Sequence, residues 1–315
     1  MITAKTPPPV FNLLHNASET KDVKWVDGVK TALSNEIKTP FPFNTLVLSV
    51  NYHTRTDGLL LLEAQVRRGR KWSRFYKLGL FSRDFQSSFP AQQDAFGHVD
   101  TDCLVLEPEA EAFRYRLSLY GDMEVDLLAS SITNSRLDEP LGGEAQGCFN
   151  ARVEPVSQLC VKHKDRRRIC SPAALTMALN YFGAKTDVLR VMKEVFDPAS
   201  GIYGNWIFNT ACAARYGMES FVRRFASLRE LPEFVNQNSL VLASVGYKKG
   251  ELSNAAIAAT PGHLVLITGY EDGKIWTADP AAATDGKVIR PYDAREFSRV
   301  WLKNKRGVSY IVRKK

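Results

Sequence analysis

The chain has 315 residues, 44% of them hydrophobic and 24% charged, with a formal net charge of +8. That length accommodates two domains with cores of their own, and those fractions exclude disordered and fibrous classes. No apolar run approaches the length that spans a bilayer, and Met1–Pro9 lacks the apolar core of a secretory signal.

On that reading the protein is cytoplasmic as it stands, unless a signal peptide has been removed. The charge is uneven: residues 151–315 hold 26 Lys and Arg against 15 Asp and Glu, whereas residues 1–150 hold 16 against 19. A basic second half favours an anionic substrate or partner. No nucleic-acid motif accompanies the charge, so nucleic acid is not expected as a partner. Five cysteines (Cys103, Cys148, Cys160, Cys170 and Cys212) are an odd number without metal-ligand spacing. They do not form an evident disulfide framework, and neither a metal nor a cofactor is expected.

In chain order, residues 1–40 begin with Pro7–Pro9 and read as an extended lead-in. From Phe41 the texture is β. Leu46–His53 and Leu59–Arg67 are aliphatic runs separated by the turn signal Thr56-Asp57-Gly58. Lys71–Leu78, Val99–Leu106, Ala112–Tyr120 and Val125–Ile132 follow. Within Ala112–Tyr120, Phe113, Tyr115, Leu117 and Leu119 alternate with polar residues, the period of a strand with one wet face. Successive short strands without helical spacing predict an all-β sandwich over 41–136. Residues 137–150, with Pro140, Gly142 and Gly143, read as a linker.

Beyond it, residues 151–315 mix helices and strands, giving an α+β class. Cys170–Phe182 is small or apolar nearly all round and ends at Gly183, which predicts a buried helix. Thr186 is placed to cap a helix through Phe196, and Trp206–Tyr216 reads as another. Ser227 with Glu230, and Asp293 with Glu296, have capping-box spacing. Leu240–Tyr247 reads as a buried strand, Lys248–Gly262 as a loop over a site, His263–Tyr270 with Lys274–Asp279 as a hairpin, and Val308–Val312 as the last strand.

Cys170 falls at the amino end of the buried helix, where unpaired N–H groups and the helix dipole favour a thiolate. A lone cysteine is by default a small buried hydrophobe, so a base must be found for it. His263 opens an apolar strand directly after Pro261-Gly262, whereas His15, His53 and His98 belong to the other domain and His163 to a charged run. Asp279 is the candidate that orients the ring, and hairpin geometry tests it. A two-residue Asp272-Gly273 turn would pair 271 with 274 and place Asp279 on the face opposite His263. A three-residue Glu271-Asp272-Gly273 loop would shift the pairing by one and bring Asp279 opposite Val265, on His263's face. The triad is expected only with the longer loop. Gln158, twelve residues before Cys170, is a side-chain donor for an oxyanion beside the Cys170 N–H.

Val156-Ser157-Gln158, Cys170-Ser171-Pro172 with its helix to Gly183, Gly262-His263-Leu264-Val265 and Ala278-Asp279-Pro280-Ala281 resemble bacterial papain-fold cysteine peptidases related to the bacteriocin-leader (double-glycine) peptidases. Gly204–Asn209 and Tyr292–Trp301 match as well, so the resemblance covers essentially 150–315. Trp72–Leu78 and Gln93–Leu106 are similar to the β-sandwich that precedes this domain in some of these proteins. The resemblance implies an α+β papain-like peptidase domain after an all-β sandwich. It also implies Cys170 as nucleophile, His263 as base, Asp279 as orienter and Gln158 as oxyanion donor. Asn205, Trp206 and Gly262 would bind a peptide or protein substrate. With no transmembrane or ATP-binding portion, export of a leader peptide is not expected of this chain alone. Acyl or peptidyl transfer on the same fold, or glycan or protein binding with little turnover, remain alternatives to hydrolysis.

Overall fold

A computed structural model describes residues 10–15, 20–26, 28–137 and 143–315. The Pro7–Pro9 cluster and most of the expected linker, residues 138–142, lie outside the described residues. The all-β domain contains β1 (Val10–His15), β2 (Thr20–Val26), β3 (Val29–Ser34), β4 (Ile37–Arg68), β5 (Lys71–Trp72), β6 (Tyr76–Phe81), β7 (Gln86–Ser87), β8 (Gln93–Asp94), β9 (Gly97–Asp100) and β10 (Cys103–Thr133). All pair antiparallel in one sheet. The expected lead-in is therefore corrected: β1 and β3 lie against β10, and β2 against β3.

The six expected strands also merge. β4 runs unbroken through Thr56-Asp57-Gly58 because Gly58 sits opposite Gly121 in β10. A Cβ on Gly121 would stand 2.4 Å from the Asp57 carbonyl oxygen, so only glycine lets the two long strands bend together here. β4 and β10 fold back on each other until Leu46 has Leu104 as one partner and Ile132 as another. Phe43, Leu48, Val50, Leu62, Tyr76, Phe113 and Tyr115 fill the space between.

After the short β11 (Phe149–Asn150), the second domain sets α1 (Cys170–Tyr181), α2 (Val188–Val195) and α3 (Trp206–Arg215) beside a sheet. The remaining elements are β12 (Met218–Arg224), α4 (Leu231–Phe234), β13 (Ser239–Tyr247), β14 (Thr260–Glu271), β15 (Lys274–Ala278), β16 (Ile289–Asp293), α5 (Ala294–Ser298) and β17 (Val308–Lys314). The sheet order is β12-β17-β13-β14-β15-β16, with β11 on β14. Helix α1 is buried over Ser171–Leu179 and packs on β14, as its apolar circumference requires. Ser227 and Glu230 form the expected capping box. Two caps differ. Asp187, not Thr186, caps α2 by accepting from Arg190 N, while the Thr186 hydroxyl is engaged with Tyr216 Oη at 3.0 Å. Asp293 caps α5, but Glu296 turns away to bond Ser253.

One apolar core runs through both domains, joined where Phe81 meets Phe208 edge-on at 5.3 Å. The edge strand β12 is covered by side chains of the first domain. Asn51 Nδ2 donates to Ser220 O at 2.5 Å, and Oδ1 accepts from Ser220 N at 3.0 Å. Ser49 Oγ accepts from Val222 N at 3.0 Å. Asn12 Nδ2 and Oδ1 pair with Arg224 O and N at 2.9 and 3.0 Å. Alternate residues of an edge strand point their backbone groups outward, and these side chains satisfy them. Among the described residues no helix is long and apolar enough to cross a membrane.

Candidate active site

Cys170 is the first residue of α1 and is half-buried. Its preceding residue, Ile169, supplies no side-chain cap, so the N–H groups of the first turn are free to serve the thiol. His263 stands in β14, opposite Val245 of β13, and is buried. Its Nε2 hydrogen-bonds Asp279 Oδ1 at 2.7 Å. The ring's other nitrogen, Nδ1, is then left to face Cys170, with which the imidazole shares a hydrogen bond.

Asp279 is 1% exposed yet fully partnered. Its Oδ1 also accepts from Ala281 N at 2.9 Å, and Oδ2 accepts from Tyr292 Oη at 2.6 Å. Tyr292, on β16, is the site residue that sequence reasoning missed as an individual role. In the sequence it stands only at the start of the Tyr292–Trp301 match, and the β15–β16 pairing brings its hydroxyl to the carboxylate.

The hairpin takes the shorter turn, contrary to expectation: Glu271 pairs with Lys274, and Asp272 and Gly273 both have positive φ. The face is rescued elsewhere. Between Ile267, paired with Thr277, and Gly269, paired with Trp276, Thr268 is an extra residue. This bulge shifts the register by one, so Leu266 faces Ala278 and Asp279 follows beside Val265 on His263's face. β11 is seated on the bulge: Ala151 N donates to Thr268 O at 2.7 Å, and Asn150 is paired with Gly269.

Electrostatics follow from this geometry. Burial pushes the Cys170 thiol up, but the His263 hydrogen bond and charge, aided by the N–H groups of Leu264 and Ser171, outweigh it and draw the thiol down. Burial disfavours the charged ring, yet the Asp279 carboxylate and Cys170 raise His263 to about 10. Burial alone would raise Asp279; His263, Tyr292 and Ala281 N hold it below its ordinary value. The three groups thus favour a thiolate, an imidazolium and a carboxylate together.

Gln158 is 4% exposed. Its backbone N–H donates to Pro280 O at 2.8 Å, and its Nε2 to Arg166 O at 3.0 Å, tying the Asp279 turn to the loop that leads into Cys170. One Nε2 hydrogen remains, while Oε1 is buried without a hydrogen-bond partner among the described residues.

Of the three residues expected to bind substrate, Asn205 is corrected to a helix cap. It is fully buried, with Oδ1 accepting from Phe208 N at 3.2 Å and Nδ2 donating to Asp197 Oδ2 at 3.0 Å, so its side chain is held inside the fold and away from solvent. Trp206 is partly exposed at the start of α3, and Gly262 is exposed beside His263. Nearby, Arg166, Arg167 and Arg168 are exposed or nearly so, with Arg168 donating to Gly201 O at 2.7 Å. All five cysteines are free. Among the described residues no cluster of His, Cys, Asp and Glu is arranged to hold a metal ion.

The model of the Peptidase_C39 like family matches residues 151–309, and that of the Peptidase C39 N-terminal domain matches residues 12–129. The chain belongs to the Peptidase_C39 like family. It is a cysteine peptidase of papain-like type, with the family's N-terminal domain ahead of the C39 domain. No curated protein matches the chain. Three solved protease or peptidase structures are similar to it in part. A double glycine motif protease from an AMS/PCAT transporter, in complex with its leader peptide, is 17% identical over 57% of this chain and 100% of that one, with a TM-score of 0.38. A putative C39-like peptidase from Bacillus anthracis is 16% identical over 54% and 98%, with a TM-score of 0.41. The peptidase domain of Streptococcus ComA is 12% identical over 52% and 99%, with a TM-score of 0.37.

Proposed function

We propose that this C39-like peptidase hydrolyses a peptide bond through a Cys170 thioester, with His263, Asp279 and Gln158 in the roles of base, orienter and oxyanion donor. The observation that carries the reading is the buried His263 ring, bonded through Nε2 to Asp279 and electrostatically coupled to Cys170. The Cys170 thiolate attacks the substrate carbonyl carbon, and the carbonyl π electrons move to oxygen. That oxyanion accepts from the Cys170 N–H and from the remaining Gln158 Nε2 hydrogen. The imidazolium gives its Nδ1 proton to the departing amine, leaving a thioester. His263 then takes a proton from the water that attacks the thioester; the C–S bond breaks, the acyl group leaves as a carboxylic acid, and the Cys170 thiolate and imidazolium are restored. Asp279 remains ionised throughout and fixes the ring, itself fixed by Tyr292 and Ala281 N.

The substrate is a peptide or protein carrying an acidic segment, an assignment supported by the exposed Arg166–Arg168 loop and the basic second half. Cys170→Ala tests the mechanism. Peptide hydrolysis is expected to vanish while the fold persists, because the thiol makes few packing contacts. Cys160→Ala is expected to remain active. Turnover retained in purified Cys170→Ala would sink the assignment.

A further inference from the structure

We propose that the all-β domain is part of the catalytic unit: Asp102, at the tip of its β9–β10 hairpin, is a positioning residue for Cys170. The inference rests on Cys170 being the nucleophile.

The hairpin tip is tight, with Asp100 paired to Cys103 and Thr101 at positive φ, and it drives Asp102 out of its own domain against α3. The carboxylate is 5% exposed and accepts from Trp206 N and from Ile207 N, the first two residues of the helix. An aspartate buried here without those donors would be costly. With them it clamps the amino end of α3, although burial outweighs those bonds and raises the carboxyl to about 7.

That end of α3 is bonded to the nucleophile's own helix. Asn209, one turn along, donates through Nδ2 to Asn205 O at 2.7 Å and to Tyr203 O at 2.9 Å. Its Oδ1 accepts from Ser171 Oγ at 2.9 Å. Tyr310 Oη lies 3.2 Å from Ser171 Oγ and 3.4 Å from Gly204 O, and its one proton serves either contact. Ser171 follows Cys170 directly, and its N–H is one of the groups that draw the thiol down. Asp102, α3, Asn209 and Ser171 therefore form one continuous buried path from the first domain to the thiolate. Its links are the Asp102 bonds to the first turn of α3, the helix backbone, and Asn209 to Ser171, so releasing Asp102 loosens the N–H that Cys170 depends on.

The test measures iodoacetamide alkylation of Cys170 in the full chain between pH 5.5 and 8, located by peptide mapping, which needs no substrate. At pH 7.5, above the value of about 7 to which burial raises Asp102, Asp102→Asn and Asp102→Ala are expected to alkylate about fivefold more slowly than wild type, with the rate-against-pH curve moved to higher pH. Ser171→Ala, which cuts the same path inside the second domain, is expected to slow alkylation likewise, even if an Asp102 variant fails to fold. Ser49→Ala removes a domain contact of equal kind on β12, away from α1, and is expected to keep the wild-type rate. Asp102 variants that react at the wild-type rate or faster overturn the inference. So does a Ser49→Ala slowed as much as Asp102→Ala, which would mean general loosening. Wild-type Cys170 no more reactive than the exposed Cys148 and Cys160 would overturn the proposed nucleophile, and the inference with it.

Discussion

Asp279 is held by three donors, and only one of them belongs to the imidazole, so its charge and its placement can be separated. The active pair exists between the pH at which Cys170 loses its proton and the pH at which His263 loses its own. Cys170 is drawn down and His263 raised to about 10, so this window is wide, its limits belonging to the coupled pair. Asp279→Asn keeps an acceptor but removes the charge that holds the imidazolium. The alkaline limb is expected to move to lower pH, and kcat/KM to fall roughly tenfold, the equivalent of one pKa unit of lost stabilisation. Asp279→Ala is expected to cost more, since the ring can then turn, and His263→Ala more again, about a hundredfold or beyond. An Asp279→Ala enzyme with wild-type rates at every pH would remove Asp279 from the mechanism.

At the scale of elements, the β14 bulge decides whether the proposed triad shares one face. Without Thr268 as an extra residue, the two-residue Asp272-Gly273 turn would put His263 and Asp279 on opposite faces. Gly269 is what lets β11 lie against the bulge: a Cβ there would stand 2.1 Å from the Phe149 carbonyl oxygen. Gly269→Ala is expected to cost about 1–3 kcal/mol by the rule for forced overpacking, and to lower activity by freeing the register that pairs His263 with Asp279. Gly286→Ala, where an added Cβ meets nothing within 4 Å, is the matched control and is expected to be neutral. Urea melts and peptidase assays of both variants check this, and an unchanged Gly269→Ala would show that β11 does not hold the bulge.

Across the whole molecule, Asn51, Ser49 and Asn12 cover the outer edge of β12, and a common core crosses the boundary. The two domains are therefore expected to melt in a single transition by calorimetry. Asn51→Ala strands a buried N–H and C=O and is expected to cost about 1–3 kcal/mol while keeping one transition; two resolved transitions in the wild type would refute the coupling. Net charge acts at the same scale. With its positive excess on residues 151–315, the enzyme is expected to lose kcat/KM toward an acidic peptide as salt rises from about 0.05 to 0.5 M, where screening lengths shorten severalfold. Unchanged kcat/KM for an acidic peptide that it cleaves would remove charge from substrate selection.

The sequence by itself determined what local chemistry and period can report. The all-round apolar stretch Ser171–Leu179 had to be a buried helix with Cys170 at its amino end. The alternation in Ala112–Tyr120 had to be a strand, and spaced motifs carried the peptidase resemblance. It could not determine register, because one inserted residue flips every side chain beyond it, and nothing local marks Thr268 as that residue. It took Thr56-Asp57-Gly58 for a turn, since glycines in turns and glycines at a bend of two long strands look alike until Gly121 is seen opposite. It placed Asn205 at the substrate, where tertiary contacts with Asp197 and Phe208 N enclose it instead. Tyr292 on Asp279 and Asp102 on α3 are separated from their partners by 13 and 104 residues. Contacts of that kind exist only once strands have paired and the hairpin tip has met the helix, which is why the tertiary structure alone decided them.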